Sequence, residues 1–417
     1  MQRNCPDLFY FGFFFICTAL VVACTSKKAT TEQDTQTLMH IFNNFDGSSL
    51  VLAVSHNGAL IHYEQAGFSD VRTGKLLSRN TKFRVASLSK TITAMAAMQL
   101  VEQGKLKLDA DVSAVLGFSL RNPAFPQAPV TLRQLLSHTS TVRDGPAYDR
   151  FLQKTIASNG GFAMKTLFET AGDSVWSAHT PGSWFAYCNL GYGLIGTLIE
   201  KASGKRFDQY CRENLFLPAG INASFNVSDF AETDTLAVLF RKRDGQWMAQ
   251  VDDFTTGRPD PERYDAYIPG TNASVFGPQG GLRISALDML ALIEGLRTDG
   301  RVNGVHLLSA ETVKQMKTEH WRYDGANGEP YGGLFNAWGL GLHIAGGNGK
   351  DDIIKGQLFT GHPGDAYGLL ADAYFNETFS FVFISGGIGI PNKEADGSAF
   401  YEVEAAAFRL VEQAMNR

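Results

Sequence analysis

Residues 50–63 read LVLAVSHNGALIHY, two short apolar runs on either side of His56-Asn57-Gly58. Asn-Gly between such runs is the strongest local hairpin signal, because the favoured two-residue turn needs positive φ at both of its central residues. An antiparallel sheet therefore opens the fold. The far end of the chain returns to the same pattern, with extended runs at 338–344, 358–360, 367–375 and 379–385 and turns at 346–351 and 376–378. Residues 398–415 then place Phe400, Val403, Ala407, Leu410 and Ala414 on one face, which makes a helix that must cover a sheet.

Between the ends the periodicity turns helical. Helices are predicted over 88–102, stopped by Gly104, over 132–137, over 190–202 and over 285–296. The second of these is opened by Thr131 with Gln134 three residues on, a capping box. Residues 224–280 are rich in Asp, Gly, Pro and Thr and read as loops able to wall a cleft. Strands at both ends with helices between them imply an α/β fold. Its antiparallel sheet is flanked by helices, built from N- and C-terminal parts, and carries an inserted mainly helical domain. The expected division is 39–110 together with 330–417 for the α/β domain and 111–329 for the helical, loop-rich one.

Composition narrows the function. Across 417 residues, 37 Lys and Arg face 42 Asp and Glu for a net charge of -5, so no nucleic-acid partner is expected. Apolar residues make up 44%, with 30 Phe, which excludes disorder and supplies a large core. At the N-terminus residues 8–23 are nearly all apolar and end in Val21-Val22-Ala23-Cys24, which resembles a bacterial lipobox. That reading makes 1–23 a signal peptide, Cys24 a lipidated residue and 24–38 a polar tether; an ordinary membrane anchor is the alternative. Both put the body outside the cytoplasm, and Thr25 after the cysteine favours, by analogy, the periplasmic side of an outer membrane. Cys188 and Cys211, left in the body, form either one bridge or two buried thiols. CxxC and HExxH are absent, and no metal site is expected.

Three short motifs carry chemistry. Ser87-Leu88-Ser89-Lys90 is an S-x-x-K where strand gives way to helix, a spacing that sets a lysine amine beside a serine oxygen. Tyr187-Cys188-Asn189 is a Y-x-N, whose phenol and amide face alike in an extended loop; near a lysine ammonium the phenolate is favoured and serves as a base. Gly361-His362-Pro363-Gly364-Asp365 lies in strand-like surroundings where glycines let the chain approach a ligand, and the Asp365 N–H is a candidate oxyanion donor. Each alone has a bland reading: a cap serine with a surface lysine, a core tyrosine, a strand end with its turn.

Their order and setting resemble the penicillin-binding protein and class C type beta-lactamase family of serine hydrolases. The likeness extends to Phe83-Arg84-Val85-Ala86-Ser87, to TLRQLLSH at 131–138, to Gly280-Gly281-Leu282 and to Trp338-Gly339-Leu340-Gly341, and covers roughly residues 40–415. It implies that Ser87 is the nucleophile, Lys90 takes or relays its proton, and Tyr187 is base for Ser87 and acid to the leaving group. Asn189 then holds Lys90 and a substrate amide, His362 takes the place of a lysine in the strand motif, and the Ser87 and Asp365 N–H groups form the oxyanion hole beside Gly364. Acyl transfer through a covalent intermediate on small esters, amides or D-amino-acid peptides follows, with no cofactor. A D-alanyl-D-alanine carboxypeptidase and a non-catalytic lipoprotein binding peptidoglycan are the rival readings. Pro363 departs from the family, since it lacks the hydroxyl that often holds a substrate carboxylate there. Asp365 either faces inward, repelling anions and binding an amine, or is merely a turn residue.

Overall fold

The computed structural model describes residues 47–387, 395 and 397–416; Cys24, the 1–23 segment and the 24–38 tether lie outside them. The hairpin forms as read. β1 (Ser49–His56) and β2 (Ala59–Asp70) turn through Asn57 and Gly58, at φ 48° and 83°, with His56 paired to Ala59. Further sheet strands are β3 (Lys75–Leu76), β4 (Trp321–Arg322), β5 (Ala337–Trp338), β6 (His343–Ala345), β7 (Phe359–Ala366), β8 (Leu369–Phe375) and β9 (Phe379–Gly386). They make one nine-stranded sheet in the order β4-β5-β6-β7-β8-β9-β1-β2-β3. The β1–β9 pairing, Ser49 opposite Gly386 through His56 opposite Phe379, is antiparallel and joins the two ends of the chain.

Both faces of the central strands are buried, so they read as continuous apolar runs instead of alternating ones. On β1, Val51 and Ala53 face one core while Leu50, Leu52 and Val54 face another. The first core holds α1 (Ser89–Glu102), α2 (Asn189–Ser203) and α3 (Ala286–Arg297); the second is covered by α4 (Glu402–Met415). α4 starts later than predicted, because Phe400 and Tyr401 lead into it in extended backbone.

The capping box at Thr131 is present, its hydroxyl accepting from Gln134 N and the Gln134 side chain accepting from Thr131 N. Residues 224–280 are less featureless than expected and include a ribbon of Leu239–Arg243 with Gln246–Val251. Helices at Pro146–Ala157 and Met164–Thr170 add to those predicted. Cys188 and Cys211 are buried free thiols. Among the described residues, no helix is long and apolar enough to cross a membrane.

Candidate active site

Ser87 sits in a single 3-10 turn, Ala86–Leu88, between the short strand Phe83–Arg84 and α1, instead of in the first α-helical turn. Ala86 holds φ at 47°, a left-handed conformation that costs a residue with a Cβ about a kcal/mol and recurs where a functional group must be re-aimed. Three residues on, Lys90 is wholly buried. Its Nζ lies 3.1 Å from Ser87 Oγ, 2.8 Å from Asn189 Oδ1 and 2.8 Å from the Gln279 carbonyl.

All three partners are oxygens that accept from Lys90 Nζ in the charged state; once the amine is neutral, its two N–H groups stay with the two carbonyls and its lone pair is free to take the Ser87 proton. Asn189 cannot be turned round, because its Nδ2 donates to Asp144 Oδ2 at 2.8 Å. Asp144 in turn accepts from the Asn189 and Leu190 N–H groups at 2.9 and 2.8 Å, at the N-terminus of α2 where a carboxylate is favoured. Burial, partly opposed by the charge of Asp144, pushes the Lys90 amine down to about 7.

Tyr187 brings its ring under Lys90, with Nζ 4.8 Å from the ring centroid. Phe335 stacks on it at 5.2 Å and His138 lies against it at 4.5 Å. Burial pushes its phenol well above the usual range, against a smaller downward pull from a hydrogen bond with Ser87. In this setting burial, with the charge of Asp144, favours the neutral phenol.

β7 carries the third motif along the cleft. β6 pairs with β7 only from Phe359 to Gly361, so 362–366 have a ladder partner, β8, on one side alone. Gly364 is where that strand meets the serine: a Cβ added there would stand 3.0 Å from Val85 O and 3.2 Å from Ser87 N, close enough that the backbone would have to give by tenths of an ångström. Register divides the motif's side chains. His362 and Gly364 oppose Ala373 and Ala371, which face the α1 core; Pro363 and Asp365 oppose Asp372 and Leu370, on the α4 side.

His362 is consequently 1% exposed, with its ring centroid 6.0 Å from that of Tyr187 and Nδ1 2.5 Å from the Pro363 carbonyl. Burial and the nearby Lys90 hold its imidazole well below the ordinary value. It packs against Tyr187 and does not line the cavity over Ser87. That cavity, of about 260 Å³, is lined by Ser87, Tyr187, Tyr331, Phe335, Gly364 and Asp365. Asp365 does face it, beside Tyr401 and Glu404 from the start of α4. Glu404 caps α4 through the Tyr401 N–H at 2.7 Å and touches the wholly buried Asp372; burial raises both carboxyls, Asp372 well above the ordinary range and Glu404 to about 7, so Asp372 keeps a proton that it gives to Glu404 in a hydrogen bond.

Ser87, Lys90, Tyr187 and Asn189 are thus brought together, with Gly364 and Asp365 on the adjoining strand edge. Asp144, His138, Gln279 and the aromatic wall of Tyr331 and Phe335 were not read from the sequence as parts of the site. Of these only His138 lay within a quoted motif. Among the described residues no group of His, Cys, Asp and Glu is placed to hold a metal ion.

A family model described as Beta-lactamase matches residues 40–381. The chain is 29% identical to penicillin-binding protein 4 of Amycolatopsis lactamdurans over 64% of this chain and 64% of that protein. It is 26% identical to a D-aminopeptidase of Brucella anthropi over 78% and 53%. To esterase EstB of Burkholderia gladioli it is 27% identical over 60% and 65%. The chain spans about half to two thirds of the length of these relatives.

Proposed function

The chain belongs to the beta-lactamase family, and from that premise we propose that it is a serine hydrolase forming an acyl-enzyme on small esters, amides or D-amino-acid peptides. The observation that carries this reading is the buried Lys90 amine, held by two carbonyls with its Nζ 3.1 Å from Ser87 Oγ.

Ser87 Oγ attacks the substrate carbonyl carbon while Lys90 Nζ takes the hydroxyl proton. The carbonyl π pair moves onto oxygen, which the Ser87 and Asp365 N–H groups receive as an oxyanion hole. Collapse of that adduct re-forms the carbonyl and breaks the bond to the leaving oxygen or nitrogen. Tyr187, a neutral phenol, donates the proton to the leaving atom and is recharged from Lys90. Water then repeats the sequence on the acyl-enzyme, releasing the acid and restoring Ser87. His362 and His138 act as positioning residues that hold the Tyr187 ring.

The leaving group departs into the cavity that Tyr187 lines. Pro363 offers no hydroxyl there and Asp365 adds a carboxyl, both unfavourable to an anionic leaving group. Esters and amides with neutral or cationic leaving groups are therefore preferred over a terminal D-alanine, and beta-lactams acylate the enzyme weakly. Similarity to proteins named as an esterase and a D-aminopeptidase supports the same ordering. The reading includes a lipid on Cys24 that tethers the enzyme on the periplasmic side of the outer membrane.

A fluorophosphonate probe followed by intact-protein mass tests the nucleophile. One adduct, lost in Ser87→Ala, is expected. An unlabelled wild type, or labelling that survives the substitution, contradicts the assignment.

A further inference from the structure

The loop that gives Lys90 the Gln279 carbonyl gives Arg84 the next one. Arg84 Nε donates to Gly280 O at 3.1 Å, and its guanidinium lies 4.9 Å from the Tyr367 ring centroid. Beside this loop is a second cavity, of about 190 Å³, lined by residues that include Arg84, Arg263, Arg283, Ser274 and Tyr367. It shares the 277–281 loop with the site around Ser87: Gln279 lines the cavity and gives its carbonyl to Lys90 Nζ, and Gly280 packs on Ala86, one residue before Ser87. Tyr187 and its aromatic neighbours line only the first cavity, which the proposed mechanism gives to the leaving group, and the second is then the one open to the acyl group.

The charges in this second cavity do not balance within the described residues. Arg283 is neutralised by Asp252 through contacts of 2.6 and 3.0 Å. Arg263 has only Asn159 Oδ1 at 3.3 Å and the face of Tyr264. Arg84, three residues from the nucleophile, has the Gly280 carbonyl and the Tyr367 ring and, among the described residues, no carboxylate in ion-pair contact. A guanidinium stays charged at every working pH, and a largely buried one is costly until an anion meets its planar fork of donors. Ser274 adds a buried hydroxyl without a hydrogen-bond partner. Leu152, Phe225 and Val275 give the cavity apolar sides that suit a short methylene chain.

We propose that this cavity is an acyl-group subsite in which Arg84 binds a carboxylate, so that the favoured substrates are monoesters or monoamides of short dicarboxylic acids. The inference rests on the serine-hydrolase reading and names its substrate class. The first cavity is acidic and the second basic, which gives the cleft a direction along which a substrate with an anionic acyl group and an uncharged or cationic leaving group is aligned.

The test compares the full chain on two nitrophenyl esters of equal acyl length, the glutaric half-ester and the valeric ester. Wild type is expected to favour the glutaric ester in kcat/KM by roughly 10-fold or more, the range of a hydrogen bond to a charged group. Arg84→Met abolishes that ratio and Arg84→Lys keeps most of it. Because the ratio is taken within one preparation, loss of folded protein cancels. Free glutarate, a second measurement on wild type alone, is expected to compete better than valerate. A wild-type ratio near one, a ratio unchanged in Arg84→Met, or equal inhibition by the two acids overturns the subsite while turnover of the valeric ester leaves the hydrolase standing. Turnover of neither ester, with no labelling of Ser87, overturns both.

Discussion

The charge state of Lys90 sets the pH at which Ser87 becomes reactive. An exposed lysine titrates near 10.5, whereas burial brings this one to about 7. At pH 7 about half of Lys90 is then neutral, against roughly 0.03% for an unperturbed amine, a gain of about three orders of magnitude in competent base. The rate of fluorophosphonate labelling from pH 5 to 9 reads this directly. It should rise about tenfold per unit at the acid end, stand near one tenth of its plateau at pH 6 and level off above pH 8. Asp144 supplies a negative charge that raises the Lys90 amine. Asp144→Asn should therefore move the midpoint to lower pH, while a merely structural defect lowers the plateau and leaves the midpoint where it was. A wild-type midpoint at 9 or above, a flat profile, or an upward shift in Asp144→Asn would refute the argument that burial makes Lys90 the base.

Other substitutions probe the remaining parts of the site. Tyr187→Phe keeps the ring but removes the proton donor, and should slow acylation and deacylation alike by roughly a hundredfold, read from burst and steady-state phases with an ester. Gly364→Ala drives a methyl against Val85 O and Ser87 N. It should cost kcat about tenfold or more with a small change in Tm, because the strand edge moves by tenths of an ångström; wild-type kcat would show that the contact is slack. Glu404 binds its proton more tightly folded than unfolded, so the stability it contributes is present below pH 4.5 and fades as pH rises towards 7. Glu404→Gln should match wild type in urea at pH 5 and exceed it at pH 8 by up to about 3 kcal/mol; equal midpoints at both pH values would show that the Glu404 carboxyl is not raised.

The elements written in short periods were legible before the fold was known. Asn57-Gly58 specifies its turn through backbone sterics alone, and Thr131 with Gln134 specifies a helix start through two local hydrogen bonds. Helices 190–202 and 285–296 emerged within a residue of their predicted bounds, the first buried on every side from Leu190 to Glu200 and the second carrying apolar residues at helical spacing. The Pro146–Ala157 helix was legible too, with Pro146 at its start and Tyr148, Phe151, Leu152 and Ile156 at helical spacing, but it sits in a middle stretch read as loop-rich. At the site, the motif residues were found by type and spacing, but Asp144 and Gln279 act through long-range contacts, a carboxylate oxygen and a backbone carbonyl, that leave no local signature. His362 shows the converse. Its motif was visible, but which face of β7 it occupies depends on register, and a shift of one residue reverses every side chain of the strand.

The seam between β1 and β9 has a bearing on how the protein comes into being. Residues some 330 positions apart must meet before the central sheet closes, a long-range pairing that slows assembly relative to neighbouring contacts. Within the sheet β7, which flanks the serine, connects to that same seam through β8 and β9. Neither half of the polypeptide can therefore be active while it waits for the other, and the appearance of a reactive Ser87 during refolding would time the last, not the first, event in the maturation of the enzyme.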